Sequence, residues 1–239
     1  MNDPFSPAMQ RLLASSGLGF VLFLILAIVF QGGETPEYGD TVADFVEYAK
    51  DNQDGIQLWS VFMGLAGFQL LLYAGYLRSR LGQAEEAARG FTRLAHIVFA
   101  GAIVGAVGLV LSAVTTAAAV SLPETTSGDT VRALYLFSIW PFAVASVGFA
   151  AMMYTSFFLI QRLGALPRWL GVVGLIGGLA YLLTLFSHLK PEDDGGAFGM
   201  FYPVGFLALL VFVIGSSVVF VRDVGRPAAA EPATRGAAG

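Results

Sequence analysis

The sequence holds no cysteine and only two histidines in 239 residues. The first absence excludes disulfides, thiolate metal sites and cysteine nucleophiles. The second leaves little imidazole for a metal or haem. Charge is scarce as well: Asp, Glu, Lys and Arg make up 13% of the chain, against about 25% in a soluble domain. With 56% hydrophobic residues, this is neither an ordinary soluble enzyme nor a disordered polymer. A net charge of −4 gives no basic face, so nucleic acid is not an expected partner.

Long apolar runs are what the chain has in excess. Crossing the hydrocarbon core of a bilayer, ~30 Å, takes about 20 mostly apolar residues in a helix. Six stretches meet that requirement: 12–30, 56–77, 95–122, 133–160, 169–187 and 200–221. None contains an Asp, Glu, Lys or Arg. A transmembrane barrel would alternate polar and apolar residues along each strand, so the fold class expected is all-α. It is a polytopic bundle of six transmembrane helices over residues 1–221. Residues 222–239, rich in Ala, Gly and Pro, read as a disordered cytoplasmic tail. The first apolar run ends without a small-x-small cleavage pattern and is read as an uncleaved span.

Orientation follows from the basic residues. Ten of the 13 fall on one set of connections: Arg11, Arg78, Arg80, Arg89, Arg93, Arg162, Arg168, Arg222, Arg226 and Arg235. Lys50, Arg132 and Lys190 fall on the other set, together with 12 of the 17 acids. The first set is predicted to be cytoplasmic, with both termini inside and the chain in a bacterial cytoplasmic membrane.

The connection between spans one and two is the only sizeable one. Gly32, Gly33 and Pro36 stop the first helix, and Asp40 or Thr41 can cap a new one. Val42, Phe45, Val46 and Ala49 recur at helical spacing, with Asp44, Glu47 and Asp51 on another face. This predicts a short outer amphipathic helix, either a lid over the bundle mouth or a solvated tether. The segment 83–89 has helix-forming composition and is expected to extend the third span inward. Ser79-Arg80-Leu81-Gly82 and Gln161-Arg162-Leu163-Gly164 echo one another. They fit a parallel repeat of spans two and three in spans four and five, or two similar arginine-capped hairpins.

Chemistry finds few footholds. An ionisable group inside a bilayer is costly and tends to be functional; no span contains a carboxylate or a lysine, so proton pumping through buried carboxylates and a retinal Schiff base lack candidates. His96 and His188 lie at opposite ends of their spans, which rejects a haem held by both. Glu192, Asp193 and Asp194 beside His188 match no cation loop. No cofactor, metal site or catalytic group is expected. Gly101, Gly105 and Gly108, and Gly171, Gly174 and Gly178, stand at helix-packing spacing, for packing within the bundle or between two copies. The polar groups inside spans are Gln69 with Tyr73, Ser112, Thr115 with Thr116, and Trp140 beside Pro141. Pro141 should kink span four and free a carbonyl for a neighbour or a ligand. Gln69, Tyr73, Thr115, Thr116, Trp140 and Pro141 thus form the candidate pocket, between spans two and four.

Three segments carry a resemblance. Thr35-Pro36 leads into an outer helix ending near Tyr48 and Asn52; span two closes on Leu77-Arg78-Ser79-Arg80-Leu81; and Leu166-Pro167-Arg168-Trp169-Leu170-Gly171 opens a glycine-rich span. In these the chain resembles a broad group of bacterial, chiefly actinobacterial, six-helix membrane proteins carrying a domain of unknown function. The resemblance implies the same span count and hairpin layout, and no activity. The expected function is non-catalytic: binding a lipid or other lipophilic ligand, or acting as a membrane partner subunit. The alternative is a small permease for an uncharged or weakly polar solute. Expected partners are membrane lipids and either further copies of the chain or another membrane protein.

Overall fold

The computed structural model describes residues 6–33, 35–88, 93–121, 126–189 and 196–224, except for the side chains of 188, 189, 196 and 197. Nine α-helices and one 3-10 turn account for most of them, and no strand occurs among the described residues. Helix α1 (Pro7–Phe30) is followed by the short α2 (Val42–Asp51), then α3 (Gln53–Ala87) and α4 (Leu94–Ser121). Next come α5 (Gly128–Phe137), α6 (Ile139–Leu163) and α7 (Arg168–Thr184). The 3-10 turn Leu185–Leu189, the four-residue α8 (Gly196–Gly199) and α9 (Phe201–Asp223) complete the order. Six helical segments are long and apolar enough to cross a membrane: α1, α3, α4, α5 with α6, α7 with its 3-10 extension, and α9.

The start signals are those the residues dictate. Ser6 caps α1 ahead of Pro7, whose missing N–H costs nothing in a first turn. Thr41 caps α2 through a reciprocal box with Asp44. Gly164 ends α6 at a φ of 65°, a left-handed turn that a side chain would strain. Pro141 has no N–H to give the Phe137 carbonyl, and the helix is interrupted at Ser138, between α5 and α6. The Ser138 carbonyl accepts the Ser112 hydroxyl of α4 at 2.8 Å.

One boundary differs from expectation. Residues 83–87 continue the second span rather than the third: α3 runs unbroken to Ala87, and Arg89 lies outside the described residues. With 35 residues, at about 1.5 Å each, it outreaches the bilayer core. The reason lies in Glu85, 6% exposed. Its carboxylate accepts the Leu94 and Ala95 N–H groups at 2.8 and 3.2 Å, holding the first turn of α4 against the end of α3. An anion at a helix N-terminus satisfies donors that have no partner within the helix.

The six long segments pack as a closed ring. Each touches the next in chain order, α1 to α3, α4, α6, α7 and α9, and α9 returns to α1. Contacts across the ring are slight, between α3 and α6. The tightest seam joins α4 to α6. A Cβ placed on Gly101 would lie 2.7 Å from both the Gly148 carbonyl and the Met152 nitrogen. One placed on Gly108 would lie 2.6 Å from the Ala145 nitrogen. The two backbones meet directly, as small residues allow where lipid removes the hydrophobic drive between helices.

The two ends of the ring differ. At the end of Arg78, Arg80 and Arg162 the centre is filled: Leu70, Tyr73, Leu77, Met152, Phe212 and Phe220 are fully buried. The Tyr73 hydroxyl bonds Ser216 Oγ at 2.7 Å, and Arg80 pairs with Asp223 at 2.8 Å. At the α2 end the centre is open. Around the outside, Leu22, Val61, Phe68, Val107, Val147, Ile176 and Leu207 are exposed on successive helices. So wide an apolar belt is a face for lipid.

Candidate functional site

The opening at the α2 end is a cavity of about 510 Å³, within the range of small-molecule sites. All six long segments contribute to it. Phe20 and Leu24 of α1, Ile56, Trp59 and Met63 of α3, and Leu109 and Thr116 of α4 form one side. Phe142, Ser146 and Phe149 of α6, Tyr181 of α7, and Tyr202, Phe206 and Leu209 of α9 form the other. The spacings are helical, as in Ile56, Trp59 and Met63 or Phe142, Ser146 and Phe149, so each helix shows the cavity one stripe. Among the described residues that line it, none is an Asp, Glu, Lys, Arg or His.

Three of its hydroxyl groups turn back onto their own helical segments. Thr116 Oγ1 donates to the Ser112 carbonyl at 3.0 Å, Ser138 Oγ to Tyr135 at 2.6 Å and Ser146 Oγ to Phe142 at 2.9 Å. Each keeps lone pairs free to accept. The wall is apolar and aromatic, with scattered acceptors.

Helix α2 lies beside the mouth. Its Tyr48 lines the cavity, as do Thr35 and Pro36 just before it. Phe45 and Tyr48 meet the Tyr135 ring edge-on, at centroid distances of 5.5 and 5.7 Å. Arg132 of α5 sits 5.7 Å over the Phe45 ring and donates to the Tyr38 carbonyl at 3.1 Å. Asn52 accepts the Gly33 N–H at 3.0 Å, and the Tyr48 hydroxyl donates to the Gln31 carbonyl at 3.3 Å. Burial pushes the Tyr48 phenol up from its usual value, which keeps it neutral. The Thr41 hydroxyl, then the Thr41 N–H, hold the Asp44 carboxyl below the usual carboxylate range. That cap is complete above the unfolded carboxylate value and is lost as pH falls through the lowered one. The helix is thus fastened at both ends and covers part of the opening.

Of the six candidate pocket residues, Thr116 lines this cavity and the other five lie elsewhere. Thr115, half-buried, donates to the Leu111 carbonyl at 2.9 Å. Trp140 is 55% exposed, on the outside of the ring. Pro141 is buried where Gly108 approaches its carbonyl. Gln69 lies against Gly19 of α1. Tyr73 is in the filled half with Ser216. What sequence reasoning missed is the ring of aromatics, Trp59, Phe149, Tyr181 and Tyr202 among them. Their helical registers were visible, but nothing in the sequence says which apolar stripe faces inward.

At the opposite end, Arg78 donates to His96 Nε2 at 2.9 Å and lies 5.6 Å over the Phe99 ring. Glu192, Asp193 and Asp194 lie outside the described residues, as does the His188 side chain. Among the described residues no three His, Cys, Asp or Glu side chains gather as a metal site. Comparison of the chain with known protein families, with curated proteins and with solved structures gives no match.

Proposed function

We propose that this protein is a multi-pass component of a bacterial cytoplasmic membrane that binds an uncharged lipophilic molecule in the central cavity, without catalysis. One observation carries the reading: all six spans converge on a space of about 510 Å³ to which the described residues bring no charged side chain. A charge entering such a space would lose its hydration with no partner to replace it. Aromatic and aliphatic walls instead favour apolar surface, at about 25 cal/mol per Å² removed from water.

In this reading the cavity opens toward the outer face, under α2, and the arginine-rich filled half lies at the cytoplasm. Ten basic residues on that set of connections support N-in/C-in topology. A reporter fused after Gly239 is expected to be active only on the cytoplasmic side; activity of an exported reporter would reverse the orientation.

Native mass spectrometry of the full chain, released from gentle detergent, tests the binding. One stoichiometric, neutral co-purifying species is expected. Protein that stays empty when purified from its own membrane would overturn the reading.

A second reading is a permease for an uncharged solute, seen in an outward-open state. What favours it is the asymmetry of the ring, open at one end and closed at the other by the Tyr73–Ser216 and Arg80–Asp223 pairs. Reconstituted vesicles would then take up a neutral solute, and vesicles that move none in a broad screen would remove this reading.

A further inference from the structure

Most hydroxyl protons around the cavity are engaged. Thr116, Ser138 and Ser146 donate to backbone carbonyls of their own helices. Tyr181 differs. It is 2% exposed, lines the cavity, and its hydroxyl makes no hydrogen bond among the described residues. Two side-chain polar atoms among the described residues are both unpartnered and sealed from open space, Arg132 Nε and Ser217 Oγ. The Tyr181 oxygen is not one of them, so it opens onto the cavity.

The ring that carries this hydroxyl is fixed. It packs on Phe149 at a centroid distance of 5.4 Å and over Gly205, where a Cβ would come within 3.2 Å of the ring carbons. Gly205 is the room in which the phenol lies. Tyr202 of α9 also lines the cavity, and its hydroxyl likewise has no hydrogen bond among the described residues. A phenol as buried as that of Tyr181 nearly always finds an acceptor; the described residues supply none.

The acceptor must therefore come with the ligand, and its chemistry is bounded. A carboxylate or phosphate would accept the bond but would enter a wall to which the described residues bring no cation. An ammonium cannot accept. A neutral carbonyl oxygen accepts, keeps the molecule uncharged, and has a second lone pair for Tyr202. Trp59, Phe142 and Phe149 add aromatic rings to the wall, which suit a ring-bearing ligand. Resting on the binding function proposed above, we propose that the cavity takes a neutral, ring-bearing lipophile whose carbonyl oxygen accepts a hydrogen bond from the Tyr181 hydroxyl.

The test uses the full chain in lipid nanodiscs and two matched fluorescent probes. One is 6-propionyl-2-(dimethylamino)naphthalene, which is flat, neutral and carbonyl-bearing. The other is its 6-propyl analogue, which lacks only the carbonyl oxygen. Saturable binding is measured after subtraction of empty discs. Wild-type protein should bind both, and Tyr181→Phe should weaken the propionyl probe about 3- to 10-fold, the range of one neutral hydrogen bond. The propyl probe should change less than about twofold, because the ring face is kept. In wild-type protein the carbonyl stretch of the bound probe should also lie below its value in hydrocarbon, a readout that needs no variant. Equal weakening of both probes, no weakening of either, or an unshifted stretch would overturn the carbonyl assignment while leaving cavity binding intact. Failure of both probes to bind the wild type above empty discs would overturn the cavity reading and this inference together.

Discussion

Gly148→Leu is expected to leave little folded protein, while Gly75→Ala leaves the bundle intact. A Cβ on Gly148 would stand 2.9 Å from the Gly105 Cα and closer still to the Gly105 nitrogen and the Gly101 carbonyl. These are backbone atoms of another helix, so no rotamer change can relieve the overlap. Helices α4 and α6 would have to separate along a seam that also holds Gly101 and Gly108. Overpacking in a close-packed core costs about 1–3 kcal/mol where side chains can shift, and more where two backbones must part. Against a total of about 5–15 kcal/mol, that is a large share. The ring has no compensating contact, since α4 and α6 hold adjacent places in a closed circle. At Gly75, by contrast, an added Cβ meets nothing within 4 Å, and Ala is the better helix former by up to about 1 kcal/mol. Thermal melting monitored by size-exclusion chromatography in detergent separates the two. A Gly148→Leu protein melting within a few degrees of wild type would show that the seam is not the closest approach in the ring.

The spans were legible in the sequence because lipid imposes a length and a composition that short-range patterns cannot mask. The apolar run 95–122 predicts a span, and α4 occupies Leu94–Ser121; Asp40 and Thr41 are both suited to cap α2, and Thr41 holds the cap. The placing of residues 83–87 in α3 has a physical reason. Helix-forming residues beside two spans belong to whichever is continuous, and the deciding contact is Glu85 against the Leu94 and Ala95 N–H groups, nine and ten residues on. In the sequence Glu85 is one charge of a polar loop.

The cavity was illegible for a related reason. Polar residues within spans, such as Gln69, Tyr73 and Thr115, are the obvious candidates for a site in an apolar sequence. Yet a buried hydroxyl in a helix is most often satisfied locally or by one neighbour, as Thr115 is by Leu111 and Tyr73 by Ser216. The residues that enclose free space are instead ordinary Phe, Leu, Trp and Tyr. Spans such as α4 and α9 are apolar on every side, so their lipid-facing and cavity-facing stripes look alike. Only ring closure, a contact between the first and the last span, distinguishes them.

Ser146→Phe is expected to abolish co-purification of the neutral ligand without lowering thermal stability. Ser146 is 2% exposed and lines the cavity, and its hydroxyl donates to its own helix at the Phe142 carbonyl. Replacing it removes a locally satisfied hydroxyl and points a benzyl group into open space between Phe142 and Phe149. Filling a cavity that is open at one end gains apolar contact at no cost in backbone movement, and each buried CH₂ adds about 0.8 kcal/mol. The melting temperature should hold or rise, while the lost volume excludes the ligand. The same substitution in the other half of the ring has the opposite signature. Ser216 is fully buried, bonds Tyr73 and donates to the Phe212 carbonyl at 2.7 Å. Ser216→Phe therefore has no space to enter, and it strands a buried phenol, so it should destabilise by about 3 kcal/mol or more. Running the pair side by side in native mass spectrometry and thermal melting tests whether the ring is hollow at one end and solid at the other. If Ser146→Phe retained its co-purified species at wild-type occupancy, the ligand would lie outside the cavity. If it melted as early as Ser216→Phe, the space around Ser146 would not be open.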